Sequence, residues 1–178
     1  MSKPPAHEEH KAHAPKHLKI AVITASSSRY RKKVLGEPFT DEAGDIAVKS
    51  LRERGHEVRY VGVLDDDIKM LREALLSTLS SRDIDVVMII GGTGLTKRDV
   101  TVEAIRPFFE KEIEGFGEIF RVESYKRIGP SAALTRSTAG VVDGRLVILL
   151  PGSPDAVKTA IDVFADELPH AVHLTKRP

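Results

Sequence analysis

A three-layer α/β/α sandwich around a mostly parallel sheet is the fold class this sequence predicts, and three observations predict it. Short, β-branched apolar runs alternate with longer segments whose apolar residues fall at helical spacing. The run Val86-Val87-Met88-Ile89-Ile90 is apolar throughout, as a strand covered on both faces must be. Strand, helix, strand, helix, strand is the order that right-handed crossovers impose on a parallel sheet.

Taken in order, Leu18 to Ile23 is strand-like in length and branching and ends in the polar cluster Thr24 to Ser28. Asp41 to Arg54 places Ala43, Ile46, Ala47 and Leu51 at helical spacing, and Gly55 stands where a C-cap glycine belongs. A strand, Glu57 to Leu64, follows. Ile68 to Leu79 reads as a helix with one apolar face, and Val86 to Ile90 as the buried central strand. Helices are expected at Val102 to Glu112 and Gly117 to Arg127, then an irregular stretch, a strand Arg145 to Leu150, and a last helix from Pro154 to about His173.

The chain has 178 residues, enough for one core but not for a second catalytic domain. Residues 1–17 hold four of the seven histidines and three prolines without a core-forming pattern, so they read as a disordered tail, with 18–178 as a single domain. His7, His10 and His13 recur every third residue, a spacing that could chelate a metal weakly but suits a solvated tail. The start lacks the apolar stretch of a secretory signal, and no run is long enough to span a membrane, so a cytoplasmic protein is expected. Without cysteine, disulfides, thiolate metal sites and a thiol nucleophile are excluded. A net charge of +1 lacks the basic excess of a dedicated nucleic-acid binder, which leaves small ligands as the expected partners.

Ligands of open parallel sheets bind beyond the carboxyl ends of the strands, so the loops after Ile23, Leu64, Ile90 and Leu150 are the places to search. After Ile90 the chain reads Gly91-Gly92-Thr93-Gly94-Leu95-Thr96-Lys97-Arg98-Asp99-Val100-Thr101. Three glycines in four residues permit positive φ and let backbone N–H groups approach an anion closely. Thr101 is a candidate cap for the following helix, whose positive end then faces the same loop. A helix end contributes only about 0.3–1 kcal/mol per charge at an exposed site, so Lys97, Arg98 or a metal ion must add to it. Asp99 beside a phosphate cradle is repulsive unless it binds a divalent cation or caps an N–H, and Mg2+ would resolve that conflict. Equally, the glycines can be a tight turn and Asp99 a cap.

Three further loops share that edge. In Pro151-Gly152-Ser153-Pro154-Asp155, Ser153 is the expected N-cap and Pro154 the first helical residue. Asp65-Asp66-Asp67 groups three carboxylates where one or two would cap a helix, leaving metal binding open for the rest. Thr24 and Ser26 bring hydroxyls to the end of the first strand, and Arg136 with Ser137 lies in the irregular stretch. Two helix ends on one edge suggest two anion sites, fit for a nucleotide and a phosphorylated partner.

From about Leu18 to Leu174 these segments resemble the MoaB/MogA family of molybdenum-cofactor biosynthesis proteins, which includes the gephyrin G domain. The resemblance rests chiefly on Gly91-Gly92-Thr93-Gly94 with Arg98-Asp99-Val100-Thr101 and Glu103-Ala104, and on Gly115-Phe116-Gly117-Glu118. Asp66-Asp67, Ser124 with Ile128-Gly129, Ala139-Gly140 and Pro151-Gly152-Ser153 also match in order. The resemblance implies adenylylation of molybdopterin by Mg-ATP with release of pyrophosphate, activating it for molybdenum or tungsten insertion. It implies that Asp66 and Asp99 are the catalytic or magnesium-associated carboxylates. Thr24, Ser26, Gly91 to Gly94, Arg98, Arg136 and Pro151 to Ser153 would then bind molybdopterin and nucleotide. It also implies a trimer or hexamer and a partner enzyme that inserts the metal.

The chain departs from the family where a Ser-Asp-Ser cluster is replaced by Ser26-Ser27-Ser28, where Asp-x-Ser-Gly becomes Asp41-Glu42-Ala43-Gly44, and where Val102 replaces a common proline. A binding-only or scaffold member is the rival reading; the intact Arg98-Asp99 favours activity.

Overall fold

The computed structural model describes residues 14–81 and 83–176. His7, His10 and His13 lie outside the described residues, whereas His17 Nδ1 donates to the Gly55 carbonyl at 2.7 Å. One six-stranded sheet organises the chain, in the order β2-β1-β3-β6-β5-β4. Its strands are β1 (Lys19–Ala25), β2 (Glu57–Leu64), β3 (Val86–Ile90), β4 (Lys111–Glu112), β5 (Thr138–Val142) and β6 (Arg145–Leu150). β2, β1, β3 and β6 run parallel; β5 and β4 are antiparallel additions at one edge.

The pleat of the central strands divides the core in two. Ile20, Val22, Met88, Ile90, Ile148 and Leu150 point to one face. They are covered there by α2 (Glu42–Glu53), α5 (Glu114–Ile128), α6 (Pro154–Phe164) and α7 (Leu168–Thr175). Ala21, Ile23, Val87, Ile89, Val147 and Leu149 point to the other, under α3 (Ile68–Ser80) and the short α4 (Thr101–Ile105). This is the expected sandwich. No helix among the described residues is long and apolar enough to cross a membrane.

Five segments differ from the sequence expectation, each for a local reason. Thr24 to Ser28 is not a loop: Thr24 and Ala25 finish β1, Ser26 is an N-cap, and α1 (Ser27–Leu35) follows. α1 buries none of its residues, so it carries no apolar periodicity by which to be recognised. The helix expected at Val102 to Glu112 stops at Ile105 and gives way to a 3-10 turn, Arg106–Phe108, and then β4. Pro107 has no N–H to give the Glu103 carbonyl. Arg72 takes the two carbonyls left open, Nε donating to Ala104 O at 3.1 Å and Nη2 to Glu103 O at 3.4 Å.

Pro169 divides the last helix in the same way, through a 3-10 turn at Ala165–Glu167. The irregular stretch is a 3-10 segment, Gly129–Leu134, followed by β5, which forms a hairpin with β6. Its two-residue turn is Asp143 (φ 48°) and Gly144 (φ 69°), and Asp-Gly between two strands is the sequence signal that reveals it. Helix α5 begins three residues earlier than expected, at Glu114, and seats Phe116 and Phe120 in the core; Phe116 stacks on Phe164 with ring centroids 4.3 Å apart.

Candidate functional site

Parallel order carries the ends of β1, β2, β3 and β6 to one edge, and their loops are bonded to each other. The Ser26 N–H donates to Leu64 O at 2.9 Å, and the Gly91 N–H to Leu150 O at 2.8 Å. Gly91 has φ +108°, and a Cβ there would lie 2.2 Å from the Ala25 carbonyl oxygen. Glycine is therefore required by both torsion and close approach. A Cβ on Gly152 would meet the Gly91 backbone at 3.4 Å, so the Pro151-Gly152-Ser153 turn packs directly on the Gly-rich loop.

Of the three carboxylates after β2, Asp67 caps α3, accepting from the Met70 N–H at 2.8 Å. Asp66 reaches the other way. Its Oδ2 accepts from the Ser27 N–H at 2.8 Å and the Ser27 hydroxyl at 3.0 Å, tying the acidic loop to the start of α1. Asp66 Oδ1 faces Gly92, lying 3.1 Å from where its Cβ would stand.

Asp99 is held within its own loop. Its Oδ2 accepts from the Thr96 N–H at 2.8 Å and the Thr96 hydroxyl at 2.6 Å. Burial pushes its pKa up, but the Thr96 side chain, the Thr96 and Gly94 backbone amides and the positive charge of Arg136 outweigh it, and the net shift is downward. Asp99 is thus ionised at neutral pH. Lys97 and Arg98 are exposed beside it.

Arg136 braces this loop from behind. Its Nε donates to Gly94 O and its Nη2 to Asp99 O, each at 2.9 Å, while Nη1 forms an ion pair with Glu103. The backbone adds Arg136 N–H to Thr93 O at 3.1 Å. The fork of the guanidinium suits this multiple anchoring. Glu103 is drawn below the usual carboxylate range, chiefly by its hydrogen bond from Arg136.

The remaining predicted residues fall around this centre. Thr24 is buried and faces the first turn of α2, where its Oγ1 would sit 3.1 Å from a Cβ on Gly44. Ser26 Oγ accepts from the Arg29 N–H as the cap of α1, and Ser153 Oγ accepts from Ala156 N–H at 3.2 Å as the cap of α6. Thr93 is buried; Pro151 is half-buried, and Gly152 and Ser153 are exposed. Thr101 is not the N-cap of α4: that position is Val100, without a side-chain cap bond. Thr101 instead lies inside the first turn, its N–H donating to Gly92 O at 3.0 Å.

Two hollows flank the centre. An open cavity of about 850 Å3 is walled by Arg136 together with Glu103, Arg106, Glu118, Arg121 and Thr138. A smaller one, about 110 Å3, is bounded by Phe120, Thr135, Pro151, Ser153 and Ala156 at the second loop. The size of the larger hollow does not mark it as the reaction centre, because the paired loops, the glycine backbone and the ordered carboxylates stand beside it. Sequence reasoning missed Glu118 and Arg121 as wall residues; Glu118 closes the Gly-Phe-Gly-Glu motif, and Gly117 before it lets α5 approach the Ser137 carbonyl, 2.7 Å from a would-be Cβ.

Residues 21–170 match the sequence family described as a probable molybdopterin binding domain. The chain is 44% identical over 167 residues to a molybdopterin adenylyltransferase of Pyrococcus furiosus, covering 92% of this chain and 94% of that protein. It is 39% identical over 168 residues to molybdenum cofactor biosynthesis protein B of Bacillus cereus, covering 94% of each. Among solved structures it is similar to the tungsten cofactor synthesizing protein MoaB from Pyrococcus furiosus. That likeness has a TM-score of 0.81 at 38% identity and covers 92% of this chain and 100% of the other.

Proposed function

Because this chain belongs to the family of molybdopterin-binding domains, we propose that it adenylylates molybdopterin in molybdenum or tungsten cofactor biosynthesis, using Mg-ATP and releasing pyrophosphate. The observation that carries this reading is the convergence of two ionisable, hydrogen-bonded carboxylates, Asp66 and Asp99, on a glycine backbone that the Pro151 to Ser153 turn abuts.

The chemistry asks little covalent work of the protein. A phosphate oxygen of molybdopterin attacks the α-phosphorus in line, the new P–O bond forms, and the bond to pyrophosphate breaks. Positioning and charge neutralisation lower the barrier. Gly91 to Gly94 let the chain lie against a phosphate group without side-chain interference. Exposed Lys97 and Arg98 add positive charge beside that backbone, and the α6 N-terminus at Ser153 supplies a second anion-attracting end.

Among the described residues no three His, Cys, Asp or Glu side chains converge as a resident metal site requires. Magnesium carried in on nucleotide phosphates keeps several waters and takes only one or two protein carboxylates. Asp66, with one oxygen anchored to Ser27 and the other facing the loop, fits that demand. Arg136, engaged by loop carbonyls and Glu103, acts in this reading by shaping the loop rather than by neutralising substrate charge.

Self-association fits the exposed row Ile119, Val122, Tyr125 and Ile128 on α5, and we place the protein in the cytoplasm with a metal-inserting enzyme downstream. The test is pyrophosphate release from Mg-ATP with and without molybdopterin, in the wild type, Asp99→Asn and Asp66→Asn. Release that needs molybdopterin and collapses in both variants supports the transferase. No release from folded wild type replaces it with a binding or scaffold role.

A further inference from the structure

Thr101 is fully buried, and its hydroxyl oxygen has no hydrogen-bond partner among the described residues. Such a group is costly to bury and calls for an explanation in the working state of the molecule. The hydroxyl is not turned into the apolar core. It lies against Gly92, 2.2 Å from where a Cβ would stand, so it occupies the space that a side chain at 92 would fill. From another side, Asp66 Oδ1 lies 3.1 Å from that same point. Gly92 has φ +64° and is clasped to Thr101 by the Thr101 N–H.

Two oxygens therefore flank one glycine, and neither has a hydrogen-bond partner among the described residues. Asp66 is anchored through Oδ2 alone, to Ser27. The carboxylate torsion of an aspartate is broad, so a single anchored oxygen leaves the plane of the group free to turn. Transfer to phosphorus requires that plane to be fixed. Thr101 holds the donor that could fix it, and the missing side chain at Gly92 leaves the way between them open.

We propose that Thr101 is a positioning residue for Asp66: its hydroxyl donates to Asp66 Oδ1 once substrate occupies the loop. The proposal rests on the reading of Asp66 as a participant in adenylyl transfer. Thr101 touches no reacting atom. It acts through Asp66, and the free protein carries its unpaired hydroxyl as the cost of having the donor in place.

Thr101→Val keeps the shape and removes the hydroxyl; Thr101→Ser keeps the hydroxyl. The expected result for Thr101→Val is a melting temperature equal to or above that of the wild type, with kcat reduced about tenfold and KM for ATP within about twofold. Thr101→Ser restores kcat to within about threefold of wild type. Wild-type kcat in Thr101→Val overturns the proposal, as does equal impairment of both variants with a lowered melting temperature. If the wild type itself releases no pyrophosphate, the transferase reading fails, and the Ser27 amide resonance then carries the test. Adding Mg-ATP shifts that resonance in wild type and Thr101→Ser but not in Thr101→Val; the same response in all three overturns the proposal.

Discussion

Arg136 holds Asp99 by its backbone and not by its carboxylate: Nη2 donates to the Asp99 carbonyl at 2.9 Å, while the carboxylate accepts from Thr96. The guanidinium thus fixes where Asp99 sits, and Thr96 fixes which way it points.

Replacing Arg136 by Lys keeps the charge and loses the fork. A point charge cannot serve Gly94 O, Asp99 O and Glu103 together, so about 1–2 kcal/mol of stability is lost from the two carbonyl bonds. The half-exposed ion pair to Glu103 adds little. A melting temperature lower by roughly 3–6 °C is expected, with a larger fall in transferase activity than in nucleotide affinity. An unchanged melting curve would remove Arg136 as the brace.

Gly91→Ala tests the close approach of β1 and the loop. Positive φ and a 2.2 Å encounter with the Ala25 carbonyl act together. More than about 2 kcal/mol should be lost, read in denaturant unfolding as a lower midpoint with the slope unchanged. A wild-type midpoint would show that the two backbones do not meet.

Asp99→Asn leaves an oxygen to accept from Thr96 and removes the charge. Circular dichroism and melting temperature should stay near wild type while pyrophosphate release falls about 100-fold, the scale for losing one preorganised electrostatic group. Parallel loss of fold and activity would make Asp99 a loop residue only.

His56 sets a pH dependence of stability. Its pKa lies below 6.5, first because burial disfavours the charged ring and then through the positive charge of His17 and Arg54. The Leu18 N–H donates to its Nδ1 at 3.4 Å, which only the unprotonated nitrogen accepts. The unfolded chain therefore binds the proton more readily than the folded one. Stability is fully present above pH 6.5 and is lost as pH falls from 6.5 through the lowered folded value. Thermal melts between about pH 7.5 and about pH 5.5 should show this slope in the wild type and a shallower one in His56→Asn. Identical slopes would assign the effect to other groups.

Much of this could be read without coordinates. Apolar runs buried on both faces announce themselves, so β3 and β6 stand where their residues place them, and α3 begins where its apolar spacing begins. Local chemistry was equally legible at Ser153 and Asp67, since an N-cap needs only the residues that follow it. Elements without a buried face, such as α1, and helices cut by Pro107 or Pro169 were not legible from periodicity, because there the apolar pattern is absent or runs on past the break.

By itself, then, the sequence determined the sandwich, the edge on which four loops meet, and the residues that could carry charge there, since these follow from strand order and local bonding. Only the tertiary structure decided which partners they take. That Asp66 turns to Ser27 and Gly92, that Arg136 braces the loop, and that Thr101 is buried unpaired behind it depend on contacts between segments 9 to 42 residues apart. Such contacts arise only when the packed sheet brings separate loops together, and no local pattern encodes them.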